Sequence, residues 1–246
     1  MNNTQLQIKF KQRLNKLASD DYDNIECWQM TEAFNKAQLM WCRRQLHGTN
    51  MLQEGDEKSK KRIDDLQILL INTPLTGGTD HGDFVSYVNF PDNYLEYKKV
   101  NAHAITECCP GQEENLREGI PATGRSMTVY LAEEANVNLI MRDTLKRPDF
   151  EWGETFCTMR SNTIRIYKRD FDIVQPSLDY YRTPRNIEID GCTDPITEGT
   201  FNGDVECEFK DDVAELILDE AVAIIAGDIN DINTYMREGQ QVEKNN

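Results

Sequence analysis

The hydrophobic period of this chain changes twice, and that change constrains the fold more than any single motif. Leu6, Phe10, Leu14 and Leu17 recur at four- and three-residue intervals, which places them on one stripe of a helix. Val213, Leu216, Ile217, Ala221, Ile224, Ile225, Ile229 and Ile232 repeat the helical period near the other end. Between them lie short runs rich in β-branched and aromatic residues, separated by turn residues. Helices at both ends with strands between predict an α+β chain: a helical bundle drawn from both chain ends, with an inserted antiparallel β-sandwich or open-barrel domain.

The local signals set approximate boundaries. A second helix is expected after Ser19–Tyr22, with Asp23 and Glu26 at capping spacing and Trp28 and Trp41 in its apolar content. Arg43, Arg44 and His47 suit its last turn, and Gly48 suits its C-terminal stop. Thr49 to Arg62 reads as a polar linker. Strands are expected at Leu66–Ile71, Phe84–Phe90, Tyr94–Ile105, Thr155–Met159, Thr163–Tyr167, Phe171–Val174 and Ile187–Ile189. Met127–Leu131 and Val137–Met141 read as a hairpin. Asp212 and Glu215 have the spacing of a helix start. Gly227 interrupts the last helix and predicts a close helix contact or a kink. Glu238–Asn246 has nothing to bury and reads as a flexible tail. The expected division is 1–62 (helical hairpin and linker), 63–190 (β-rich), and 191–246 (acidic loop, helix and tail).

Charge narrows the function. The formal net charge is −16, with 27 Lys and Arg against 43 Asp and Glu. Residues 187–246 hold 3 basic and 16 acidic residues, a net of −13. Tight nucleic-acid binding needs a basic face, and so does adsorption to an anionic membrane. No run of 18 apolar residues predicts a membrane span, and the opening MNNTQLQIKFKQRL has no apolar core of a secretory leader. Seven Cys without CxxC spacing predict reduced thiols in a cytosolic setting and no zinc site.

Catalytic signatures are sparse. The phosphate loop, the HExxH helix, the GxSxG elbow and the GxGxxG fingerprint are all missing. His47 suits a helix end and His103 a strand. The segment Thr76–Asp83 gathers Asp80, His81 and Asp83 among glycines, a pattern shared by metal or general-base loops and by plain surface turns; the turn reading is preferred. Cys108-Cys109 has no adjacent cation to activate a thiol. The expectation is no catalytic, cofactor or metal residue. Tyr235 and Met236, near the end of the last helix, are the candidate contact residues.

Two segments carry a resemblance. Ser161–Ile189 has the order "tIriY…Fdi…p.LdYyR.PrnIei", and Ala214–Ile229 the order "Eli.deAv.iiagdi". Together with the opening hairpin bearing Trp28 and Trp41, this resembles neck or tail ring proteins of crAss-like bacteriophages, related to the head-to-tail adaptors of short-tailed phages. The resemblance implies a virion protein of the neck or tail, assembled in the bacterial host cytoplasm. It implies a ring of identical subunits, usually twelve, stacked on the portal or a neighbouring ring. It also implies DNA as passing cargo and no enzymatic activity. Two other readings stand beside it: another phage tail or fibre-attachment protein, and a hydrolase or metal enzyme built on Asp80, His81 and Asp83.

Overall fold

A computed structural model describes residues 1–14, 25–48, 60–88, 90–106, 124–193, 199–228 and 232–245. The chain is α+β and divides into two compact units. One combines Met1–Leu69 with Thr183–Asn246, and the other is Leu70–Arg182.

The first unit holds the helices α1 (Asn3–Leu14), α2 (Cys27–His47), α3 (Lys60–Leu66), α5 (Asp211–Asp228) and α6 (Ile232–Asn245). Leu6, Phe10 and Leu14 of α1 are buried as their spacing requires, while Leu17 lies outside the described residues. α2 begins at Cys27, with Glu26 as N-cap; the Glu26 amide donates to Gln29 Oε1 at 3.0 Å. Asp23 lies outside the described residues, and Glu26 takes the capping position expected for it. Gly48 ends α2 at φ 66°, a left-handed conformation that costs glycine little. Met30, Ala33, Phe34, Ala37 and Trp41 form the buried face of α2, and Trp41 meets Phe209 edge-on at 5.3 Å.

α5 is the most apolar helix and packs against α1, α2 and α6. Its start differs from expectation. Asp211 and Asp212 both lie in the first turn, and Glu215 forms ion pairs with Lys9 and Arg13 of α1 instead of capping. The expected single long C-terminal helix is two helices. The second of these, α6, takes in Ile232–Met236 of the expected helix together with most of the expected tail, and it packs back on α5. Gly227 marks the close approach: a Cβ there would lie 3.4 Å from the Tyr235 ring. The end of the expected linker also forms helix, as α3.

The second unit is one curled eight-stranded sheet, a half-barrel. Its strands are β1 (Leu70–Pro74), β2 (Thr79–Asp80), β3 (Phe84–Val88), β4 (Tyr94–Ile105), β5 (Arg125–Leu131), β6 (Glu154–Arg160), β7 (Thr163–Tyr167) and β8 (Asp172–Arg182). The order is β1-β8-β4-β5-β6-β7-β3-β2. Alternating residues Val85, Tyr87, Val100, Cys157, Ile164, Ile166, Leu178 and Tyr180 meet on one face as its core. One sheet therefore stands where a sandwich of two was the alternative.

Four local expectations are corrected. Val137–Arg142 is a short helix, α4, so Met127–Met141 is no hairpin. Instead β5 and β6 pair in parallel, which requires a crossover between them, and α4 lies in that crossover. Phe171–Val174 and the following run merge into one strand, β8, which tolerates an irregularity at Gln175 with φ 47°. Leu66 and Ile71 fall in α3 and β1, and Ile187–Ile189 contributes only the isolated bridge Glu188–Val205.

The thiols also differ from expectation. Cys27 and Cys192 form a disulfide across 165 residues, because the chain returns from the β unit to the start of α2. Cys42, Cys157 and Cys207 are buried and take part in no disulfide. Burial pushes the Cys157 thiol up to about 11, which keeps it protonated and unreactive at neutral pH. Cys108 and Cys109 lie outside the described residues.

Candidate interface surfaces

The β2–β3 turn is the most chemically suggestive segment of the sequence. Asp80 accepts from the Gly82 amide at 2.8 Å, which is an Asx turn. Its other carboxylate oxygen lies 2.6 Å from Lys168 Nζ, and Lys168 also meets Asp172 at 2.7 Å. The hydrogen bond from Lys168 holds the Asp80 carboxyl below its ordinary range. His81 stacks on Phe84 at 4.7 Å, and its Nε2 lies 3.0 Å from Ser86 Oγ. Ser86 pairs with Thr79 across the hairpin and also reaches the Thr79 carbonyl at 3.4 Å. These contacts tie one strand of the hairpin to the other. Among the described residues, no three His, Cys, Asp or Glu side chains are grouped to hold a metal ion.

Two apolar surfaces stand out instead. The first is on α6. Arg237 turns inward and donates to the Arg13 carbonyl at 2.8 Å. Tyr235 covers Gly227 with one ring edge yet remains 54 % exposed, and Met236 is 52 % exposed. These are the two residues that the sequence singles out.

The second surface was not visible in the sequence. It lies along the crossover from β5 to β6. Tyr130 and Leu131 end β5, Leu139 projects from α4, and Leu145 and Trp152 follow in the return loop; their exposures run from 49 % at Leu131 to 70 % at Leu145. α4 has only six residues, too few to turn an apolar stripe onto the sheet, so Leu139 stays in solvent. Asp149 caps the turn that presents Trp152, accepting from its amide at 2.9 Å. Gly153 closes that turn at φ 70°, and a Cβ there would meet Arg125 Nε at 2.9 Å. A groove of about 380 Å³ opens beside this patch, walled by Tyr130, Leu131, Ile140, Leu145 and Phe156. Glu154 accepts from the Tyr130 hydroxyl at 3.3 Å, and its charge pushes that phenol upward. Each of these side chains leaves apolar area in solvent, and full burial of one contributes about 1.5–3 kcal/mol. The signal in the sequence was Leu145 and Trp152, which stand outside every expected element, whereas Leu139 was read within the expected strand Val137–Met141.

No helix among the described residues is long and apolar enough to cross a membrane. No protein-family model matches the chain, and no curated protein matches it.

Proposed function

We propose that this chain is a structural subunit of a phage virion, assembling with copies of itself into a ring at the head-to-tail junction. The observation that carries the reading is the exposed apolar patch of Tyr130, Leu131, Leu139, Leu145 and Trp152, together with Tyr235 and Met236 on α6. A ring subunit needs two different surfaces, because head-to-tail contacts join unlike patches and close by rotation. The helices from both chain ends would form the bundle of such a subunit, with the β unit inserted as the second lobe. The resemblance of Ser161–Ile189 and Ala214–Ile229 to ring proteins of crAss-like phages supports the same assignment. The ring would stack on the portal or a neighbouring ring, in about a dozen copies. A net charge of −16 on each subunit suits a wall past which anionic DNA slides without being held.

Native mass spectrometry of the purified chain, alone and with portal and neighbouring ring proteins, tests this reading. The expected result is a closed oligomer of one defined copy number. A monomer under every condition would count against it. Three- or six-fold assembly on distal tail parts would favour a fibre-attachment protein instead.

A hydrolase is the second reading, favoured by the 3.0 Å approach of His81 Nε2 to Ser86 Oγ. Ser86→Ala tests it: the ring reading predicts unchanged assembly and virion function, the hydrolase reading loss of function with the fold and assembly retained.

A further inference from the structure

A second groove, on the helical unit, has a composition that selects its occupant. One wall is α2, where Trp28, Glu32 and Asn35 follow each other at helical spacing. The other is the segment through Ile187 and Glu188, together with Phe201; the space between is about 280 Å³. The walls are fastened together. The disulfide Cys27–Cys192 joins the first residue of α2 to the opposite loop. Asn35 Oδ1 accepts from the Ile187 amide at 2.8 Å, and Asn35 Nδ2 donates to the Ile187 carbonyl at 3.3 Å. Phe201 is held by its amide to the Cys192 carbonyl at 3.0 Å, and its carbonyl accepts from Gly191.

The charged lining of this groove is all acidic: Glu32 and Glu188. Glu26 is a third carboxylate next to Trp28, accepting from its indole N–H. Residues 187–212, which supply the second wall, carry nine Asp and Glu against the single Lys210. Two aromatic side chains and two carboxylates around one opening attract a cation with a flat, weakly hydrated face. Guanidinium meets that description better than ammonium, because it stacks on an indole while its N–H groups reach carboxylates.

We propose that this disulfide-fastened groove docks an arginine-bearing segment of a partner protein. The inference rests on charge complementarity and aromatic lining alone, and it holds whether or not the chain forms a ring.

The test titrates the full chain, with its disulfide intact, using the peptide acetyl-Gly-Arg-Gly-Arg-Gly-amide. Binding is read from the Trp28 indole N–H resonance, assigned by its loss in Trp28→Phe. Parallel titrations use the lysine and citrulline counterparts; citrulline keeps the shape of arginine without its charge. The expected result is saturable movement of the Trp28 resonance by the arginine peptide, weaker binding of the lysine peptide, and binding of the citrulline peptide weaker by about tenfold or more. Glu32→Gln/Glu188→Gln should weaken the arginine peptide about fivefold or more, while the control pair Asp92→Asn/Glu133→Gln on the β unit leaves it unchanged. Both glutamines keep the shape of the residues they replace, so this arm does not depend on a disruptive substitution. Reduction of the disulfide should weaken binding with the helix content retained. Equal binding of arginine and citrulline peptides, or no movement of the Trp28 resonance, would overturn the proposal. Equal loss in the control pair would overturn it too, by reducing the effect to general attraction toward an acidic protein. Methylguanidinium binding as tightly as the peptide would do the same, leaving only a small-cation pocket.

Discussion

Arg44→Ala should unmask a buried carboxylate. Arg44 Nη2 of α2 lies 2.6 Å from Glu220 Oε1 of α5, where Glu220 is only 6 % exposed. Glu220 Oε2 has no hydrogen-bond partner among the described residues, so Arg44 supplies the charge that keeps the ionised form in place. Burial already raises the Glu220 carboxyl above 4.5, although Arg44 pulls it down. A raised acid is stabilising in its protonated form. Folding stability is therefore greatest below the unfolded value near 4.5 and declines as pH rises toward the folded one. Removing Arg44 raises the folded value further and enlarges the decline. Breaking a buried pair by deleting one partner costs about 3 kcal/mol or more. For a chain of this size that lowers the melting midpoint by about 6–12 °C at pH 7. Thermal unfolding followed by circular dichroism at pH 7 and pH 5 measures it. The loss should be smaller at pH 5, and Glu220→Gln in the Arg44→Ala background should erase the difference. Equal losses at the two pH values would refute the reasoning, as would a loss below about 0.5 kcal/mol, the range of an exposed pair.

Other substitutions probe other parts of the fold. Ile166→Ala empties a fully buried site in the sheet core and should cost about 2–5 kcal/mol in urea unfolding. Gly227→Ala places its Cβ in ordinary contact with Tyr235, so it should raise stability by about 0.5–1 kcal/mol through helix propensity. Gly227→Leu should instead displace Tyr235 and lower the melting midpoint. Cys27→Ser should cost about 2–4 kcal/mol, and peptide mapping without reductant should recover Cys27 linked to Cys192. Leu139→Ser/Leu145→Ser removes apolar surface that the subunit alone does not bury; it should leave the melting midpoint within about 1 °C while abolishing self-association in sedimentation velocity.

Local periodicity made part of this fold legible in advance. Leu6, Phe10 and Leu14 defined α1, and the alternation in Thr163–Tyr167 matched β7 residue for residue. Tyr94–Ile105 was likewise read with its ends in place. The failures share a cause. Val137–Met141 is a short apolar run that can be strand or helix, and only the parallel pairing of β5 with β6 decides it. The helicity of α6 depends on α5, a partner its own composition does not reveal. The disulfide joins residues 165 positions apart, a distance over which no spacing rule operates. The exposed apolar residues divide the same way. Tyr235 and Met236 could be named from a helix end, whereas the exposure of Leu139, Leu145 and Trp152 follows from the course of the β5–β6 crossover.

Electron microscopy of intact virions that carry this chain tests the ring assignment most directly. The account predicts density for the α+β subunit repeated about the tail axis next to the portal, with the Tyr130–Trp152 patch covered by a neighbouring copy. Virions that lack this density at the head-to-tail junction, or hold the chain there with that patch open to solvent, would contradict it.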